Sequence, residues 1–574
     1  MTLATAYDAL FSISGRSPAA PRAAALQAAY EVDVEPTSLV AYRSAGNLLI
    51  IGAENEALEC AARLRHSVPC TVAALEPAAA LSDLAREARD DATRVNLVRG
   101  AAGALAGHLG HFTFSLHLAD GKELSPAALL RPEEPWFDLV LDLRREPGIA
   151  HEVAPFGYYA PRGEAERLHQ MLDAIPEMVG EFEKPKFFLY NPDICAHGYG
   201  GLTGCTRCLE ACPTGAIQSL GERVEVDPYL CQGAGTCTSV CPSGAMTYAY
   251  PGPRDQIRRL KRMLEAYRTA GGGTAVLLFH DEEGGFERMH ELAPALPDHV
   301  LPVAVSEIGA VGMDTWLAAL AYGASEIVLL DTPAVPATVR EAMHDQLDYA
   351  RVLLDALGLG GERLTWLAAD ADPATAFATA EPTAAVGTPA AFDTHNDKRG
   401  SLRLALDHLQ KAAPEKPRLA ALPAGAPFGE IVVDQQACTL CMACVQVCPT
   451  RALSDGGDMP RLSFTEDVCV QCGLCAQACP EEAIALTPRF LFDWEERRAP
   501  RVLNEEEPFN CIRCGTPFAT HSVIDRMLDK LGSHHMFQSE EALRRLKMCG
   551  ECRVVDMFSE DLADSPKPRW LGPR

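Results

Sequence analysis

The chain carries 21 cysteines, and nineteen of them fall into three blocks of seven, eight and four. In the eight-cysteine block, Cys438, Cys441, Cys444 and Cys448-Pro449 are separated by two, two and three residues. Cys469, Cys472, Cys475 and Cys479-Pro480 repeat that spacing. Eight matched spacings do not arise by chance, and they tie the local chain path to whatever the sulfurs hold. Disulfide frameworks serve small secreted domains that lack a core, whereas this chain has 574 residues, 48% of them apolar and 22% charged. At roughly 150 residues per domain, about four domains are expected. Met1 to Tyr30 has no basic start, apolar run or twin arginine, and the best apolar run, Trp316–Leu330, is broken by Ser325 and Glu326. A cytoplasmic location is therefore expected, where clustered thiols bind metal. A net charge of −27 argues against duplex nucleic acid or an anionic membrane as partner, and no membrane insertion is expected.

Three thiolates two residues apart sit on one tight loop and suit three corners of an iron–sulfur cube. The fourth, ahead of the proline, starts a short helix leading away and ligates the other cluster. Cys438, Cys441, Cys444 and Cys479 are thus assigned to one 4Fe–4S cluster, and Cys469, Cys472, Cys475 and Cys448 to a second. Zinc also uses Cys-x2-Cys pairs, but not two interleaved sets with Cys-Pro endings. The block resembles bacterial-type dicluster ferredoxins, which implies one-electron transfer.

The seven-cysteine block repeats the design with two changes. Cys212-Pro213, Cys241-Pro242, Cys448-Pro449 and Cys479-Pro480 all begin Cys-Pro-x-x-Ala-apolar, an internal repeat that marks two modules. Asn191-Pro192-Asp193-Ile194-Cys195 parallels Asp227-Pro228-Tyr229-Leu230-Cys231, so Cys195 is a first ligand. A Gly-rich insertion around Gly198–Gly204 separates it from Cys205. Cys195, Cys205, Cys208 and Cys241 are assigned to a third 4Fe–4S cluster. The other motif has Ala234 where a second cysteine belongs, which leaves Cys231, Cys237 and the crossing Cys212. Three thiolates suit a 3Fe–4S cluster, and Cys-x5-Cys-x3-Cys-Pro resembles the 3Fe–4S segment of the succinate dehydrogenase iron–sulfur subunit. The rival readings are a four-iron cluster with a water-bound iron, a substitute ligand such as His197, and a degraded site.

Cys511, Cys514, Cys549 and Cys552 form two Cys-x2-Cys pairs, with Gly515 and Gly550 placed as in zinc ribbons. A closed zinc site is expected, and a further iron–sulfur cluster is the alternative. Val523–Leu531 and Ser539–Met548 have helical periodicity, with Ser539 as N-cap. His521, His534 and His535 read as surface or helix-end residues. Cys60 and Cys70 read as buried hydrophobes.

The expected fold class is α/β plus α+β: two α/β (Rossmann- or flavodoxin-like) segments interleaved with two dicluster ferredoxin-like modules and a small zinc-ribbon-like unit. The expected divisions are an N-terminal arm (1–35), an α/β domain (36–185), module 1 (186–253), a second α/β domain (254–368), an Ala/Pro-rich linker with a helix (369–429), module 2 (430–495) and a four-Cys unit (496–574). Strands are expected at Asn47–Ile51, Thr71–Leu75, Phe137–Leu143, Ala275–Phe279, Val300–Ser306 and Glu326–Leu330. Gly52 stands alone and no Walker lysine motif occurs, so nothing supports a nucleotide or flavin site. His108, His111 and His117 lie on a strand-like alternation and read as structural. Glu307, Asp314 and His280 sit where strand ends line a site. The stretch from Ser306-Glu307-Ile308-Gly309 to Leu330 faintly resembles the delta subunit of methyl-viologen-reducing hydrogenases, without that family's cysteines.

The sequence thus predicts a multi-cluster electron-transfer protein passing single electrons between a redox donor and acceptor, as a component of a cytosolic oxidoreductase. Resemblance to similarly built proteins points to formate dehydrogenase systems. The alternatives are an enzyme with an open iron near Ala234 and a redox maturation factor for a metalloenzyme. No catalytic triad or flavin motif accompanies the clusters.

Overall fold

A computed structural model describes residues 7, 10, 11, 19–118, 121–372, 377, 383–394, 397–457 and 459–564. Parts of the expected N-terminal arm, linker and C-terminal unit therefore lie outside the described residues.

Leu48–Ala53 is apolar on both faces, as a central parallel strand must be. It lies in the middle of a five-stranded sheet in the spatial order Val95–Arg99, Cys70–Glu76, Leu48–Ala53, Leu139–Asp142, Tyr158–Tyr159. The helix Glu54–Leu64 packs Ala57, Leu58 and Ala61 on one face. A hairpin, Ala101–His108 with His111–His117, covers the other face through Phe112, Phe114 and Leu116. Cys60 and Cys70 are buried here, and burial pushes both thiols up to about 12. His108 stacks on Tyr229 at 4.5 Å and His111 on Trp136 at 4.6 Å, while His117 is exposed.

At the carboxyl end of this sheet, the strand runs into Glu54–Leu64 without a loop. Glu54 is the first helical residue and pairs with Arg99, and Gly52 lies against the Leu143 side chain. An acidic side chain occupies the helix N-terminus where an anion would otherwise be favoured.

The second parallel sheet has the order Val300–Val305, Val276–Asp281, Glu326–Leu330, Leu364–Leu367. Helices Pro253–Thr269, Met313–Ala321 and Ala337–Ala356 pack on it. Two segments expected to lie outside this domain also join its core. Ala20–Tyr30 packs along Pro253–Thr269, with Tyr7, Leu10 and Phe11 buried in the same core. The described part of the expected linker is likewise packed, not a free spacer. Its helix, Lys398–Ala412, buries Leu402, Ala405, Leu406 and Leu409 against Met313–Ala321. That i, i+3, i+4, i+7 stripe outweighs the Ala/Pro-rich composition around it.

The two modules share one topology. In module 1 an outer pair, Phe188–Tyr190 with Met246–Tyr248, encloses the hairpin Ile217–Ser219/Val224–Val226. In module 2 the outer pair is Gly429–Val433 with Ile484–Leu491, and the hairpin is Leu453–Gly456/Met459–Phe464. The insertion in module 1 forms its own short hairpin, Gly198–Tyr199 with Leu202–Thr203. The C-terminal unit pairs Pro508–Asn510 with Pro517–Thr520, followed by helices His521–Leu531, Glu540–Leu546 and Gly550–Asp564. Among the described residues no helix is long and apolar enough to cross a membrane.

Candidate iron–sulfur and zinc centres

Three of the four motifs are entered by a turn that the sequence encodes; the fourth, at Cys469, is entered from Thr465 without a side-chain cap. Asn191 Oδ1 accepts from Asp193 N at 3.0 Å, Asp227 Oδ1 from Tyr229 N at 2.8 Å, and Asp434 Oδ1 from Gln436 N at 2.9 Å. Such side-chain-to-backbone turns are what Asn and Asp supply best. They deliver Cys195, Cys231 and Cys438, whose amides donate back to Pro192, Asp227 and Asp434.

The ligand loops then alternate in handedness. Leu440 and Met442 take φ of 54° and 59°, Gln471 and Gly473 take 53° and 84°, and Gly233 and Gly235 take 86° and 75°. Left-handed residues interleaved this way turn successive backbone N–H groups into one concavity, which suits an anionic cluster. The registration also places Ala234 at the position of Cys441 and Cys472, within a loop of the same shape. Four exits match as well: Gly215, Gly244, Arg451 and Glu482, each three residues after a Cys-Pro cysteine, all have positive φ. This bend lets Ala452 N and Ala483 N donate to the sulfurs of Cys448 and Cys479 at 3.2 and 3.3 Å.

The crossed pairing inferred from spacing has a direct counterpart in space. One cavity is lined by Cys438, Cys441, Cys444 and Cys479, with Leu440, Met442 and Leu462 around them. Another is lined by Cys212, Cys231 and Cys237, together with Ala234. For the other two sites the proximity shows in the electrostatics. The Cys208 thiol is pushed up by burial and then by Cys241, Cys205 and Cys195; that of Cys475 by burial, Cys469, Cys472 and Cys448. Cys444 is pushed up to about 12 by burial and by Cys438, Cys441 and Cys479. Groups of neighbouring thiols in apolar surroundings ionise only when a cation compensates them, and iron provides that compensation. The residues present fit iron–sulfur clusters.

The Ala234 loop is sealed from behind. The turn Ile308–Ala310 packs on it so closely that a Cβ on Gly309 would collide with the Ala234 carbonyl, and one on Gly235 with Ala310. Tyr248 Oη donates to Gly233 O at 2.9 Å. His197 is buried elsewhere, with Nδ1 at 2.9 Å from Cys205 O and Nε2 at 2.7 Å from Ser219 Oγ, so both ring nitrogens are engaged. His280 is fully buried against the Tyr7 hydroxyl and the Asp281 carbonyl, and Asp314 is also buried. Glu307 is pushed up to about 7 by burial, Asp281, Glu283 and Glu282.

Two residues that the sequence reading passed over as linker lie beside these sites. Lys398 Nζ donates to Thr238 O and Ser239 O, at the end of the short helix before Cys241. Arg399 donates to Pro242 O (3.3 Å), Pro427 O (3.2 Å), Asp467 O (3.0 Å) and Cys469 O (3.1 Å). Burial pulls the Arg399 guanidinium down to about 10, so it stays charged at neutral pH. Their signal was a Lys-Arg pair at the start of an amphipathic stripe.

The C-terminal cysteines differ in geometry. The four sulfurs of Cys511, Cys514, Cys549 and Cys552 lie within 4.8 Å of one another, and Cys514 and Cys549 are 3.8 Å apart. A tetrahedron with metal–sulfur bonds of about 2.3 Å has edges of about 3.8 Å. A cluster's own body would hold its ligands farther apart. Burial raises the Cys511 thiol, but backbone N–H groups of Cys514, Cys549 and Arg513 overcome it and bring it down to about 6. The set fits one tetrahedral ion. His521, His534 and His535 are exposed, and Ser539 caps its helix by accepting from Ala542 N at 3.1 Å.

Family models agree with these local designs. Residues 203–245 match the 4Fe-4S dicluster domain, and residues 431–454 and 462–485 each match the 4Fe-4S binding domain. No curated protein matches the chain. Both segments are ferredoxin-like 4Fe–4S modules, and their role is iron–sulfur electron transfer.

Proposed function

We propose that the chain is a four-cluster electron-transfer component of a cytoplasmic oxidoreductase linked to formate dehydrogenase. Three 4Fe–4S clusters would be held by Cys195, Cys205, Cys208 and Cys241; by Cys438, Cys441, Cys444 and Cys479; and by Cys469, Cys472, Cys475 and Cys448. A 3Fe–4S cluster would be held by Cys212, Cys231 and Cys237. Zinc on Cys511, Cys514, Cys549 and Cys552 would fix the C-terminal unit. The observation that carries the reading is that Cys438, Cys441, Cys444 and Cys479 line one cavity, and Cys212, Cys231 and Cys237 line another beside Ala234.

When bound, such clusters supply reversible one-electron chemistry. The protein's share is to bury the thiolates, point N–H groups at sulfur and exclude water, which together set each potential. Lys184 adds a cation at Cys231, donating to its carbonyl at 2.6 Å. The strand orders of the two sheets suit Rossmann- and flavodoxin-like scaffolds. In the first, Glu54, Arg99 and Leu143 fill the strand ends where such folds take a ligand.

Iron, sulfide and zinc per anaerobically purified chain test this. The expected content is about fifteen irons and one zinc, with a three-iron EPR signal in the oxidised state. A chain with full four-iron stoichiometry, no such signal and substrate-induced spectral shifts would overturn the reading.

A further inference from the structure

The inserted hairpin of module 1 reaches module 2. Gln477 Nε2, on the short helix after Cys475, donates to Thr203 O at 2.8 Å. A Cβ on Gly204 would sit 2.7 Å from the Ala196 carbonyl oxygen of module 1 and 2.7 Å from Leu474 Cγ of module 2, so glycine serves both the insertion and the close approach of the modules. Gly204 is followed directly by Cys205, and Leu474 lies two residues after Cys472. On a second side Arg399 spans the same two modules, binding the carbonyl of Pro242, which follows Cys241, and that of Cys469 itself. Its guanidinium also lies 4.9 Å from the Phe428 ring, and among the described residues it makes no ion pair. Even a half-buried cation without its own carboxylate is unfavourable unless an anion faces it.

We propose that these contacts make the two modules one continuous electron path, with Arg399 as the positioning residue of the inter-module step. The inference rests on the cluster reading above. The order of sites is then Cys212/Cys231/Cys237, Cys195/Cys205/Cys208/Cys241, Cys448/Cys469/Cys472/Cys475 and Cys438/Cys441/Cys444/Cys479. With clusters bound at both sites, a one-electron step across the seam would oxidise the second by one unit and reduce the third by one unit. No bond is made or broken and no proton moves. The Arg399 charge faces both middle sites through their ligand backbone. It therefore favours their reduced, more negative forms and holds both potentials up, leaving the two outer sites little affected.

The test is an EPR-monitored redox titration of the full, cluster-loaded chain, with the middle signals assigned through Cys205→Ser and Cys472→Ser. Arg399→Met is expected to lower both middle midpoints by a tenfold shift in the reduction equilibrium, about 59 mV for a one-electron couple. Arg399→Lys should recover much of the shift. Gln477→Ala and Gln477→Glu, which remove the Thr203 contact from the seam's other side, should retain full iron but lose the magnetic splitting between the two reduced middle sites. A shift at one site only, an equal shift at all four, or an unchanged splitting in the seam variants would overturn the proposal. If Arg399→Met fails to fold, the splitting in the other two variants decides. A wild-type chain without iron would instead overturn the cluster reading itself.

Discussion

Ala234→Cys adds one sulfur atom at the position that separates a three-iron from a four-iron site. Gly233 and Gly235, at φ of 86° and 75°, give Ala234 the same flanking geometry that Leu440 and Met442 give Cys441. Ala234 already lines the cavity shared by Cys212, Cys231 and Cys237, and its backbone is braced by Ile308–Ala310. No loop rearrangement is needed to bring a thiolate to the missing corner. The expected change is a gain of one iron per chain, from about fifteen to about sixteen, on anaerobic reconstitution. An oxidised three-iron cluster contributes about one unpaired spin per chain, whereas an oxidised four-iron cluster contributes none. The oxidised EPR integral should therefore fall from about one spin to near zero in the variant. Iron analysis and spin integration on matched samples read both numbers. If Ala234→Cys keeps the oxidised signal and the wild-type iron count, Ala234 does not occupy the fourth ligand position, and the alignment of the loops is wrong.

Cys514→Ser should lower zinc from one atom per chain to near zero without changing iron, read by elemental analysis; a loss of iron instead would mark that site as a cluster. Leu406→Ala, at a side chain only 1% exposed in the core shared with Met313–Ala321, should cost about 2–5 kcal/mol in urea unfolding. A near-zero cost would mean that Lys398–Ala412 does not pack there in solution. Glu307 has a folded pKa raised from 4.5 to about 7 by burial, Asp281, Glu283 and Glu282. Its contribution is complete below the unfolded value and is lost as pH rises toward 7, a decline of up to about 3 kcal/mol. Glu307→Gln should flatten the pH dependence of the unfolding midpoint between pH 5 and 8, and an unaltered slope would exclude Glu307 as its source.

The two ferredoxin-like segments were legible because a cluster is bound by short, local spacings; helix direction was not, since the short helices Ala443–Gln446 and Leu474–Gln477 precede Cys448 and Cys479 instead of starting there. The central strands were legible for a similar reason: Leu48–Ala53 and Glu326–Leu330 are apolar on both faces, so alternation is not needed to see them. Contacts at long range were not. Ala20–Tyr30 reads as an arm because its apolar face meets Pro253–Thr269 more than two hundred residues away. The segment 369–429 reads as a spacer because alanine and proline dominate its composition, although Leu402, Ala405, Leu406 and Leu409 carry a helical stripe. Arg399 carried no signal beyond its place in a Lys-Arg pair, since its four partners are carbonyl oxygens, which leave no trace in side-chain chemistry.

The two modules solve the same backbone problem with different residues, and the difference bears on whether the Ala234 site is functional. Holding Leu440, Met442 and Gln471 at positive φ costs of the order of 1–3 kcal/mol each, which persists only where the surroundings over-determine the loop. Four thiolate tethers to a bound cluster would do that. The loop at Ala234 would have one tether fewer, and it carries Gly233 and Gly235 at the strained positions, where glycine adopts the conformation at little cost. It also gains the Ile308–Ala310 brace, which requires Gly235 and Gly309 to have no Cβ. A site drifting out of use would have no reason to keep the loop in shape by lowering its strain and adding a support. The substitutions around Ala234 therefore fit a centre maintained with three thiolates better than a four-thiolate centre in decay.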